Sequence, residues 1–345
     1  MGGTSSERDV SLASGLRVAA ALRSRGHTVT SADTARGVLT ERDERAMLAA
    51  GVMRALPPET DALVQLSHGA LPATVRAIPD RQAVDVVFLG LHGGQGEDGT
   101  IQALLDLTGI PYTGSGHLAS ALAMDKDLSK RLFRDAGVPT PDWWMLRRGD
   151  HESWREHGYA ERAAAALGMP LIVKPSKQGS TVGLSLVKAT HELATAVEEA
   201  FRYDDEVMLE RFIAGRELTV GILGDQALPV GEIIPKHELY DYECKYTAGM
   251  AEEIFPARIS DTERTQAQEL AVKAFRVLKL SGCARIDFRM TKDGTLFCLE
   301  ANTLPGMTEL SLIPQAAAAA GITFPELCEQ IVRLAHVQLE SGEMR

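Results

Sequence analysis

Apolar residues in the first third of the chain change their spacing from segment to segment, which predicts alternating helices and strands. Residues 11–25 (SLASGLRVAAALRSR) and 100–109 (TIQALLDLTG) place them at helical intervals. Residues 84–92 (VDVVFLGLH) are almost continuously apolar and β-branched, which is typical of a buried strand. A further helix is predicted at about 117–136, where a glycine and a proline follow as stop signals. This part of the chain is therefore predicted to be α/β.

The remaining chain predicts more strands than helices. Short apolar runs predict strands at residues 170–174, 183–188, 206–211, 216–223 and 227–234. Helices are predicted after Thr190, from Ser260 and from Thr323, the last two with capping-box signals. Three stretches give no clear pattern: 40–80, the connector after Pro139, and a polar loop at about 236–255.

Residues 285–302 (RIDFRMTKDGTLFCLEAN) predict a hairpin with an unusual polar face. Asp293-Gly294 is typical of a type I′ turn, which needs positive φ at both central residues. With that turn, one face carries two carboxylates, a guanidinium and a carboxamide: Asp287 opposite Glu300, and Arg285 opposite Asn302. The other face is apolar and predicts a core contact: Ile286, Phe288, Met290, Phe297, Leu299 and Ala301.

The two opposed carboxylates need a cation. Across a strand pair they would lie about 5 Å apart and repel each other. Two carboxylates and a carboxamide form an all-oxygen ligand set, which suits Mg²⁺ or Mn²⁺. The alternative is a solvated edge hairpin with an incidental acid pair, and this stretch alone does not decide between the two.

Composition narrows the classes of function. With 345 residues the chain is long enough for two or three domains. A formal net charge of −11 argues against broad binding to nucleic acid or to an anionic membrane surface. The four cysteines form no CxxC pair, which predicts reduced thiols in the cytoplasm. No signal-peptide pattern and no apolar run of about 20 residues are present in the sequence.

The stretch GQGEDG (94–99) fits a dinucleotide-binding G-x-G-x-x-G pattern between a strand and a helix. However, Glu97 and Asp98 would put two negative charges where a pyrophosphate should lie. No acidic residue ends a second strand about 20 residues later. The motif therefore predicts a tight turn that presents its backbone and His92 to a ligand.

Two stretches in the middle of the chain have nucleotide-site character. KPSKQGSTVG (174–183) joins two predicted strands through a loop of glycines and hydroxyls, which can fold over phosphates. LERFIAGRE (209–217) places Glu210 and Glu217 around a short connection of adenine size. Taken singly, a solvent-exposed hairpin loop and solvated surface acids explain them equally well or better.

Two later stretches could hold a small anionic substrate. YDYECKYT (240–247) places tyrosines around Lys245, and Tyr246 would be a neutral hydrogen-bond donor because its ordinary pKa is about 10. LPGMTELSL (304–312) can aim a backbone N–H into a site at its Pro-Gly turn, with Ser311 near a helix start. A structural tyrosine cluster and an ordinary turn with an N-cap are the alternatives.

The order of these stretches is more specific than any one of them, and it describes an ATP site between two α+β lobes. In that order the chain resembles the D-alanine–D-alanine ligases of the ATP-grasp superfamily. The motifs that carry the resemblance are GGTSSERDVSL (2–12), LHGGQGEDGTIQALLDLTGIPYTGSG (91–116), SALAMDKDLSK (120–130), IVKPSKQGSTVG (172–183), YDYECKY (240–246) and GCARIDF…LEANTLPGMTELSLIP (282–314). Together they cover most of the chain except about 25–80.

The resemblance implies an α/β ATP-grasp fold with an N-terminal Rossmann-like domain. The implied domains are residues 1–122, a central lobe at 123–213 and a C-terminal lobe at 214–345. It also implies an ordered reaction in which ATP phosphorylates the carboxylate of the first D-alanine. The amine of the second D-alanine then attacks the acyl phosphate and expels phosphate.

Residue roles follow from the resemblance alone. ATP would be bound by Lys126, Lys174, Ser180, Thr181, Glu210, Arg211, Ile213 and Glu217. One Mg²⁺ or Mn²⁺ would be held by Asp287 and Glu300, and a second by Glu300 and Asn302. Glu7 would anchor the first D-alanine and form a hydrogen-bonded set with Ser180 and Tyr246. Arg285 and the N–H of Gly306 would stabilise the oxyanion, while Ser311, Lys245 and the backbone of Leu312 would hold the second D-alanine.

One departure from the family concerns the start of the chain. Family members carry an apolar strand before the GGTS loop, whereas this sequence begins at Met1-Gly2-Gly3. We hypothesise a misassigned or trimmed start, with Glu7 depending on the absent strand for its position. An N-terminal extension that left folding and activity unchanged would count against this hypothesis.

The resemblance further implies a homodimer, a cytoplasmic location and a role in peptidoglycan precursor synthesis. D-alanyl-D-lactate and D-alanyl-D-serine ligases are open alternatives, although the intact YDYECKY favours the dipeptide. A nicotinamide-dependent dehydrogenase built on GQGEDG and a nucleotide-binding regulatory protein without turnover are the alternatives from other classes.

Overall fold

The computed structural model describes residues 1–51, 58, 60–150, 158–247 and 249–340. Its helices are α1 (Arg8–Ser24), α2 (Glu41–Ala50), α3 (Thr60–Ala77), α4 (Thr100–Thr108), α5 (His117–Met124), α6 (Lys126–Asp135), α7 (Tyr159–Leu167), α8 (Leu193–Ala200), α9 (Tyr242–Tyr246), α10 (Asp261–Val277), α11 (Leu312–Ala319) and α12 (Phe324–Glu340). Its strands are β1 (Ala32–Asp33), β2 (Gly37–Val38), β3 (Trp143–Arg147), β4 (Leu171–Pro175), β5 (Ser185–Val187), β6 (Glu206–Arg211), β7 (Arg216–Leu223), β8 (Gln226–Ala227), β9 (Gly231–Pro235), β10 (Ala251–Ile254), β11 (Cys283–Met290) and β12 (Leu296–Asn302).

Two antiparallel sheets make up the centre of the molecule. The four-stranded sheet has the order β3-β6-β4-β5. The six-stranded sheet has the order β10-β9-β7-β11-β12, with β8 paired to β7. Residues 212–215 connect β6 to β7 and so link the two sheets directly. The domain boundaries predicted above stay predictions, although each sheet lies within one of the predicted lobes.

The largest apolar core lies behind the six-stranded sheet. Leu218 and Val220 of β7 and Phe288 of β11 are fully buried there against helix α10. Because side chains alternate along a strand, the residues between them point to the opposite face. The polar residues of β11 are therefore directed away from this core and toward the four-stranded sheet.

The N-terminal region carries much less sheet than its sequence predicts. Within residues 84–92, a ladder contact forms only at Val87, which pairs in parallel with Tyr112. Side chains take the hydrogen bonds of the neighbouring backbone: Leu89 N–H donates to Thr113 Oγ1 at 3.0 Å and Ser11 Oγ donates to the Gly90 carbonyl at 2.6 Å. The segment is extended, but its polar groups are satisfied by side chains more than by a ladder.

The predicted hairpin is right at the polar residues and wrong at the tip. Arg285 pairs with Asn302 and Asp287 with Glu300, as the type I′ register requires. At the tip, however, Thr291 N–H donates to the Thr295 carbonyl at 3.0 Å. The loop is therefore one residue longer than predicted.

Two offsets of one residue cancel along this hairpin. A register shift between Asp287 and Phe288 leaves Leu299 as an extra residue on β12 and restores the predicted pairing beyond it. As a consequence, Leu296 and Cys298 are buried at 1% and 0% exposure, while Phe297 and Leu299 are only partly buried. The core face predicted for this strand was wrong at these positions.

The helix predicted at 117–136 is two helices. Asp125 has an extended conformation and its side chain accepts a hydrogen bond from Leu128 N–H at 3.0 Å, so it caps a new helix, α6. The cap places Lys126 in the first turn of α6. The stretches without a clear pattern also contain elements, since β3 pairs with β6 and β10 pairs with β9.

Within the described residues, no helix is both long and apolar enough to cross a membrane.

Candidate active site

A cleft of about 930 Å³, including its open mouth, lies between the two sheets. Many of the residues singled out in the sequence line it: Lys126, Lys174, Ser180, Thr181, Glu210, Arg211, Ile213, Glu217, Lys245, Arg285, Asp287 and Glu300. Residues far apart in the sequence therefore converge on one cavity.

The polar face of the β11–β12 hairpin forms one wall of this cleft. Asp287 accepts hydrogen bonds from Thr219 Oγ1 at 2.7 Å, from Arg285 Nη2 at 2.8 Å and from Asn302 Nδ2 at 3.0 Å. On the opposite strand, Glu300 lies 3.3 Å from Lys126 Nζ. Each of the two carboxylates therefore has its own cationic partner, which offsets their mutual repulsion.

The Glu300 carboxylate and the Arg285 guanidinium both stay charged across the physiological pH range. Burial raises the pKa of Glu300, but the ammonium groups of Lys126, Lys245 and Lys174 outweigh it and hold the pKa at about 2. Burial lowers the pKa of Arg285, but Asp287 outweighs it and raises the pKa above its ordinary value. The cleft therefore holds fixed charges of both signs close together.

The hairpin supplies the ligand types of a hard divalent cation. The candidate atoms are carboxylate oxygens of Asp287 and Glu300 and the carboxamide oxygen of Asn302, with no sulfur or ring nitrogen among them. The amide of Asn302 is oriented by its own hydrogen bond to Asp287. These residues fit Mg²⁺ or Mn²⁺, although Arg285 shares the oxygens of Asp287.

Two lysines enter the cleft from the four-stranded side. Lys126 Nζ donates to the Gln178 carbonyl at 2.7 Å, and Lys174 Nζ donates to Glu210 Oε1 at 2.8 Å. Both side chains are nearly buried, at 8% and 10% exposure, so their charges are poorly screened by water. Such a pair favours the binding of a polyanion in the cleft.

The glycine-serine loop closes onto Glu7. Ser180 and Thr181 have positive φ values of 48° and 61°, which are unusual for residues other than glycine. In this conformation the Ser180 hydroxyl donates to the Glu7 carboxylate. A Cβ on Gly179 would lie 2.9 Å from Glu7 Oε2, and one on Gly93 would lie 2.8 Å from it. The backbone therefore approaches this carboxylate as closely as only glycine allows.

The segment after β12 is held by the N-terminal part of the chain. Leu304 N–H donates to Glu97 Oε1 at 3.3 Å, and His92 Nδ1 donates to the Leu304 carbonyl at 2.8 Å. His92 Nε2 lies 2.9 Å from Ser14 Oγ. Because a carbonyl only accepts, Nδ1 carries the proton and Nε2 accepts from Ser14. Burial lowers the pKa of His92, which keeps the ring neutral.

The same segment is fixed at its other end. Met307 N–H donates to Ser14 Oγ at 3.1 Å, and Arg17 Nη1 donates to the Met307 carbonyl at 3.0 Å. A Cβ on Gly306 would lie 2.6 Å from Ser311 Oγ, so a larger residue there would displace the Ser311 hydroxyl. Gly306 and Ser311 are therefore in direct contact, one behind the other along the turn.

Family comparisons agree with this arrangement. The family model described as D-ala D-ala ligase N-terminus matches residues 1–115, and the model described as D-ala D-ala ligase C-terminus matches residues 132–333. The chain belongs to the D-alanine–D-alanine ligase family. A relative named D-alanine–D-alanine ligase, from Syntrophotalea carbinolica, is 42% identical over 332 residues, which are 96% of this chain and 93% of the relative.

Solved structures of D-alanine–D-alanine ligases share the fold. The ligase from Coxiella burnetii superposes with a TM-score of 0.76 at 30% identity, covering 99% of this chain and 95% of that one. The Bacillus anthracis ligase complexed with ATP gives a TM-score of 0.74 at 30% identity, covering 99% and 98%. This member of the ligase family therefore has the ATP-grasp fold, as its sequence predicted.

Several predicted site residues of this ligase lie outside the cleft lining, and one of them is Asn302 at the end of β12. Glu7, His92, Gly306 and Ser311 form the adjoining region described above. Leu312 begins helix α11, and its side chain packs in a small core with Ile233. Tyr246 ends helix α9, but its side chain lies outside the described part of the chain. The predicted Glu-Ser-Tyr set is thus represented by its Glu7–Ser180 contact, and the roles of all these residues stay predictions.

Like Lys174 and Asp287, the predicted ligand residues Glu210, Glu217 and His92 already have protein partners. Both oxygens of Glu210 accept from lysines, and Glu217 accepts from Arg289 Nη1 at 3.0 Å. Both ring nitrogens of His92 are engaged as well. Direct contact with a ligand would compete with these bonds. The geometry therefore favours positioning contacts for His92 and Glu210.

Sequence reasoning singled out neither Arg289 nor Lys130, and it placed Tyr240 only within a group of tyrosines around Lys245. Arg289 also donates to the Ile213 carbonyl at 3.0 Å, and strand alternation from Arg285 through Asp287 would have placed it on the same face. Tyr240 donates to Glu253 at 2.8 Å and its ring lies 5.6 Å from Lys245 Nζ. Lys130 lies one helical turn after Lys126, and helical spacing could have drawn attention to it.

Proposed function

We propose that this chain joins two D-alanines into D-alanyl-D-alanine and converts ATP to ADP and phosphate. The observation that carries the proposal is the convergence of Lys126, Lys174 and Arg285 with the opposed pair Asp287 and Glu300 on one cleft. Cations for a polyphosphate and acids for a divalent metal are both required for phosphoryl transfer. A binding protein without turnover would not need a buried guanidinium beside them.

In the first step, a carboxylate oxygen of the first D-alanine attacks the γ-phosphorus of ATP. The bond from this phosphorus to the bridging oxygen breaks, and ADP leaves with the electron pair. Lys126 and Lys174 offset the charge of the phosphates. Asp287, Glu300 and Asn302 would hold Mg²⁺ or Mn²⁺, which when bound would neutralise charge on the transferring group.

In the second step, the neutral amine of the second D-alanine attacks the carbonyl carbon of the acyl phosphate. Arg285 and the N–H of Gly306 stabilise the oxyanion that forms. The carbon–oxygen bond to phosphate then breaks, phosphate leaves, and the nitrogen releases its extra proton. Glu7 holds the ammonium of the first D-alanine throughout.

Two further segments bind the second substrate and protect the intermediate from water. Ser311, Lys245 and the backbone of Leu312 bind the carboxylate of the second D-alanine. The strained loop at Ser180 and Thr181 closes over the acyl phosphate, which excludes water from a group that hydrolyses readily. The hydrogen bond from Ser180 to Glu7 would hold the loop in this closed position.

We further propose that the protein uses Mg²⁺ or Mn²⁺, forms a homodimer and is cytoplasmic. The oxygen ligands of the hairpin support the metal, and resemblance to the family supports all three. The named relatives support the dipeptide product over D-alanyl-D-lactate. A nicotinamide site at GQGEDG has no such support, because Glu97 is used to hold Gly93 and Leu304.

The test is ADP release with Mg²⁺ and ATP in the presence of D-alanine, L-alanine, or D-alanine plus D-lactate, with product masses. We expect release that requires D-alanine and a product with the mass of D-alanyl-D-alanine. A depsipeptide formed in preference to the dipeptide at neutral pH would contradict the product assignment. Release with every amino acid, or with none, would contradict the proposed substrate.

A further inference from the structure

Lys130 is a buried charge that the proposed reaction does not use. It lies on α6 one turn after Lys126, and its side chain is 0% exposed, whereas Lys126 reaches the cleft. Burying an ammonium group is costly unless it has charged and hydrogen-bonding partners. The partners of the Lys130 ammonium group therefore indicate what this residue does.

The partners of Lys130 fix its ammonium group on three sides. Nζ donates to Glu210 Oε2 at 2.6 Å and to Thr140 Oγ1 at 2.7 Å, and it lies 5.1 Å from the centre of the Trp143 ring. Thr140 in turn donates to the Cys298 carbonyl at 2.8 Å, which ties this group to β12. These contacts fix the ammonium group on the side of Glu210 that faces away from the cleft.

Glu210 lies between two lysines. Its Oε2 accepts from Lys130, and its Oε1 accepts from Lys174 at 2.8 Å. Lys174 lines the cleft and Lys130 does not. Burial raises the pKa of Glu210, but the two ammonium groups outweigh it and lower the pKa, so the carboxylate is ionised. One negative charge is thus shared between a lysine at the front and a lysine behind.

We propose that Lys130 is a positioning residue for ATP, which acts through Glu210 on Lys174. Lys130 holds one oxygen of Glu210 and offsets its charge, so that Lys174 stays forward and keeps net positive charge for the phosphates. Without Lys130, the whole carboxylate would be available to Lys174 and would pair with it away from the nucleotide. The inference rests on the proposed contact between Lys174 and the ATP phosphates.

The first experiment is Lys130→Met, which removes the charge and keeps a long apolar side chain. We expect the KM for ATP to rise about tenfold, the size of one lost charged hydrogen bond, with kcat and both D-alanine KM values within about twofold. A merely structural role would lower the melting temperature and leave the KM for ATP unchanged. An unchanged KM for ATP would overturn the proposal.

The route through Glu210 is tested by a double-mutant cycle. In a Glu210→Gln background, Lys130→Met should change the KM for ATP less than twofold, because the carboxylate that it restrains is gone. An equal tenfold rise in both backgrounds would show that Lys130 acts by another route. Thr140→Val is the matched control, since it removes the other acceptor of Lys130 without touching Glu210.

The pH dependence of ATP affinity separates the proposed role of Lys130 from a purely structural one. Burial lowers the pKa of Lys130 to about 8, with Glu210 opposing and Lys174 adding to the shift. The other titratable group facing it is Cys298 on β12, whose thiol pKa burial raises. ATP affinity, measured without D-alanine, should therefore fall above about pH 8 in the native protein. The same fall in Lys130→Met would contradict the proposal.

Failure of the inference and failure of the proposed site are distinguishable. Lys174→Met should raise the KM for ATP by more than Lys130→Met does. If Lys174→Met leaves ATP binding unchanged, the proposed position of the phosphates is wrong. If Lys174→Met weakens ATP binding and Lys130→Met does not, the site stands and only the role of Lys130 is overturned.

Discussion

The two walls of the proposed reaction site are built in opposite ways. The acidic wall is one hairpin, in which Asp287 and Glu300 oppose each other because of a local register. The wall that carries Gly306 is a turn held by Ser14, Arg17, His92 and Glu97, which are more than 200 residues away in sequence. Local pairing places the proposed metal ligands, whereas long-range contacts place the proposed oxyanion donor.

This difference predicts how each wall fails. A hairpin inside a six-stranded sheet keeps its backbone when one polar side chain is changed, so a substitution there should remove chemistry without moving its neighbours. A turn held by single hydrogen bonds from a distant part of the chain moves when one bond is lost. Substitutions there should lower kcat modestly and also loosen the contact between distant parts of the chain.

The largest effect is expected from Asp287→Asn. It removes one of the two opposed carboxylates but keeps the size of the side chain, so kcat should fall about 10³-fold with little change in the far-UV circular dichroism. Mg²⁺ titration of activity measures the loss of metal affinity directly. Asp293→Asn, at the tip of the same hairpin, is the control and should retain activity within twofold. Near-native activity of Asp287→Asn would remove this wall from the reaction.

A smaller effect is expected from Ser14→Ala in the other wall. Ser14 Oγ accepts from Met307 N–H and donates to His92, so both bonds are lost together. We expect kcat to fall about tenfold while the KM for ATP stays within twofold, because the ATP cleft is not touched. Ser24→Ala on the same helix α1 is the control. A loss confined to the KM for ATP would contradict this division of the site.

The hairpin wall is also the part that the sequence predicts best, because alternation and pairing are local. Even there, the register at Asp287 was correct only because a longer tip loop and the extra Leu299 compensate each other. Neither offset has a signal in the polar pattern. The predicted type I′ turn requires positive φ at Asp293, but of the two turn residues only Gly294 has it, at 83°.

The other wall could not be derived from pattern alone. Nothing local to Ser14 or Glu97 shows that they hold Leu304 and Met307, since these contacts exist only after distant parts of the chain pack together. The buried Lys130–Glu210–Lys174 group has the same origin, with each residue on a different element. The family resemblance identified the residues expected to bind ATP and metal. It did not identify the residues that position those side chains.

Glu97 should make stability depend on pH in a narrow window. Burial, and then the nearby Glu7, raise the pKa of Glu97 to about 8 from its ordinary 4.5. The folded state therefore binds more protons than the unfolded state between these values, and stability falls as pH rises from about 5 to 8. Glu97→Gln should flatten this part of the profile of melting temperature against pH.

Comparison with Glu97→Gln is needed because other groups titrate nearby. Burial lowers the pKa of His92 from its ordinary 6.5, so the unfolded state binds more protons there and the slope has the opposite sign below about pH 6.5. Glu300 contributes only at lower pH, since its pKa is held at about 2. The difference between the two profiles isolates Glu97. A difference that is constant from pH 5 to 8 would show that Glu97 does not titrate there.

The smallest effect separates the two possible turns at the hairpin tip. In a type I′ turn Asp293 would have positive φ, and Asp293→Gly would relieve strain and raise the melting temperature. In the observed loop, Asp293 has negative φ and its carboxylate accepts from Thr295 Oγ1 at 3.2 Å. Glycine there adds freedom to the unfolded chain and removes that bond, so the melting temperature should fall by about 2 °C with kcat unchanged. A higher melting temperature would instead support the two-residue type I′ turn. The extra residue at Leu299 would then be unexplained, because a two-residue turn brings Asp287 opposite Glu300 without it.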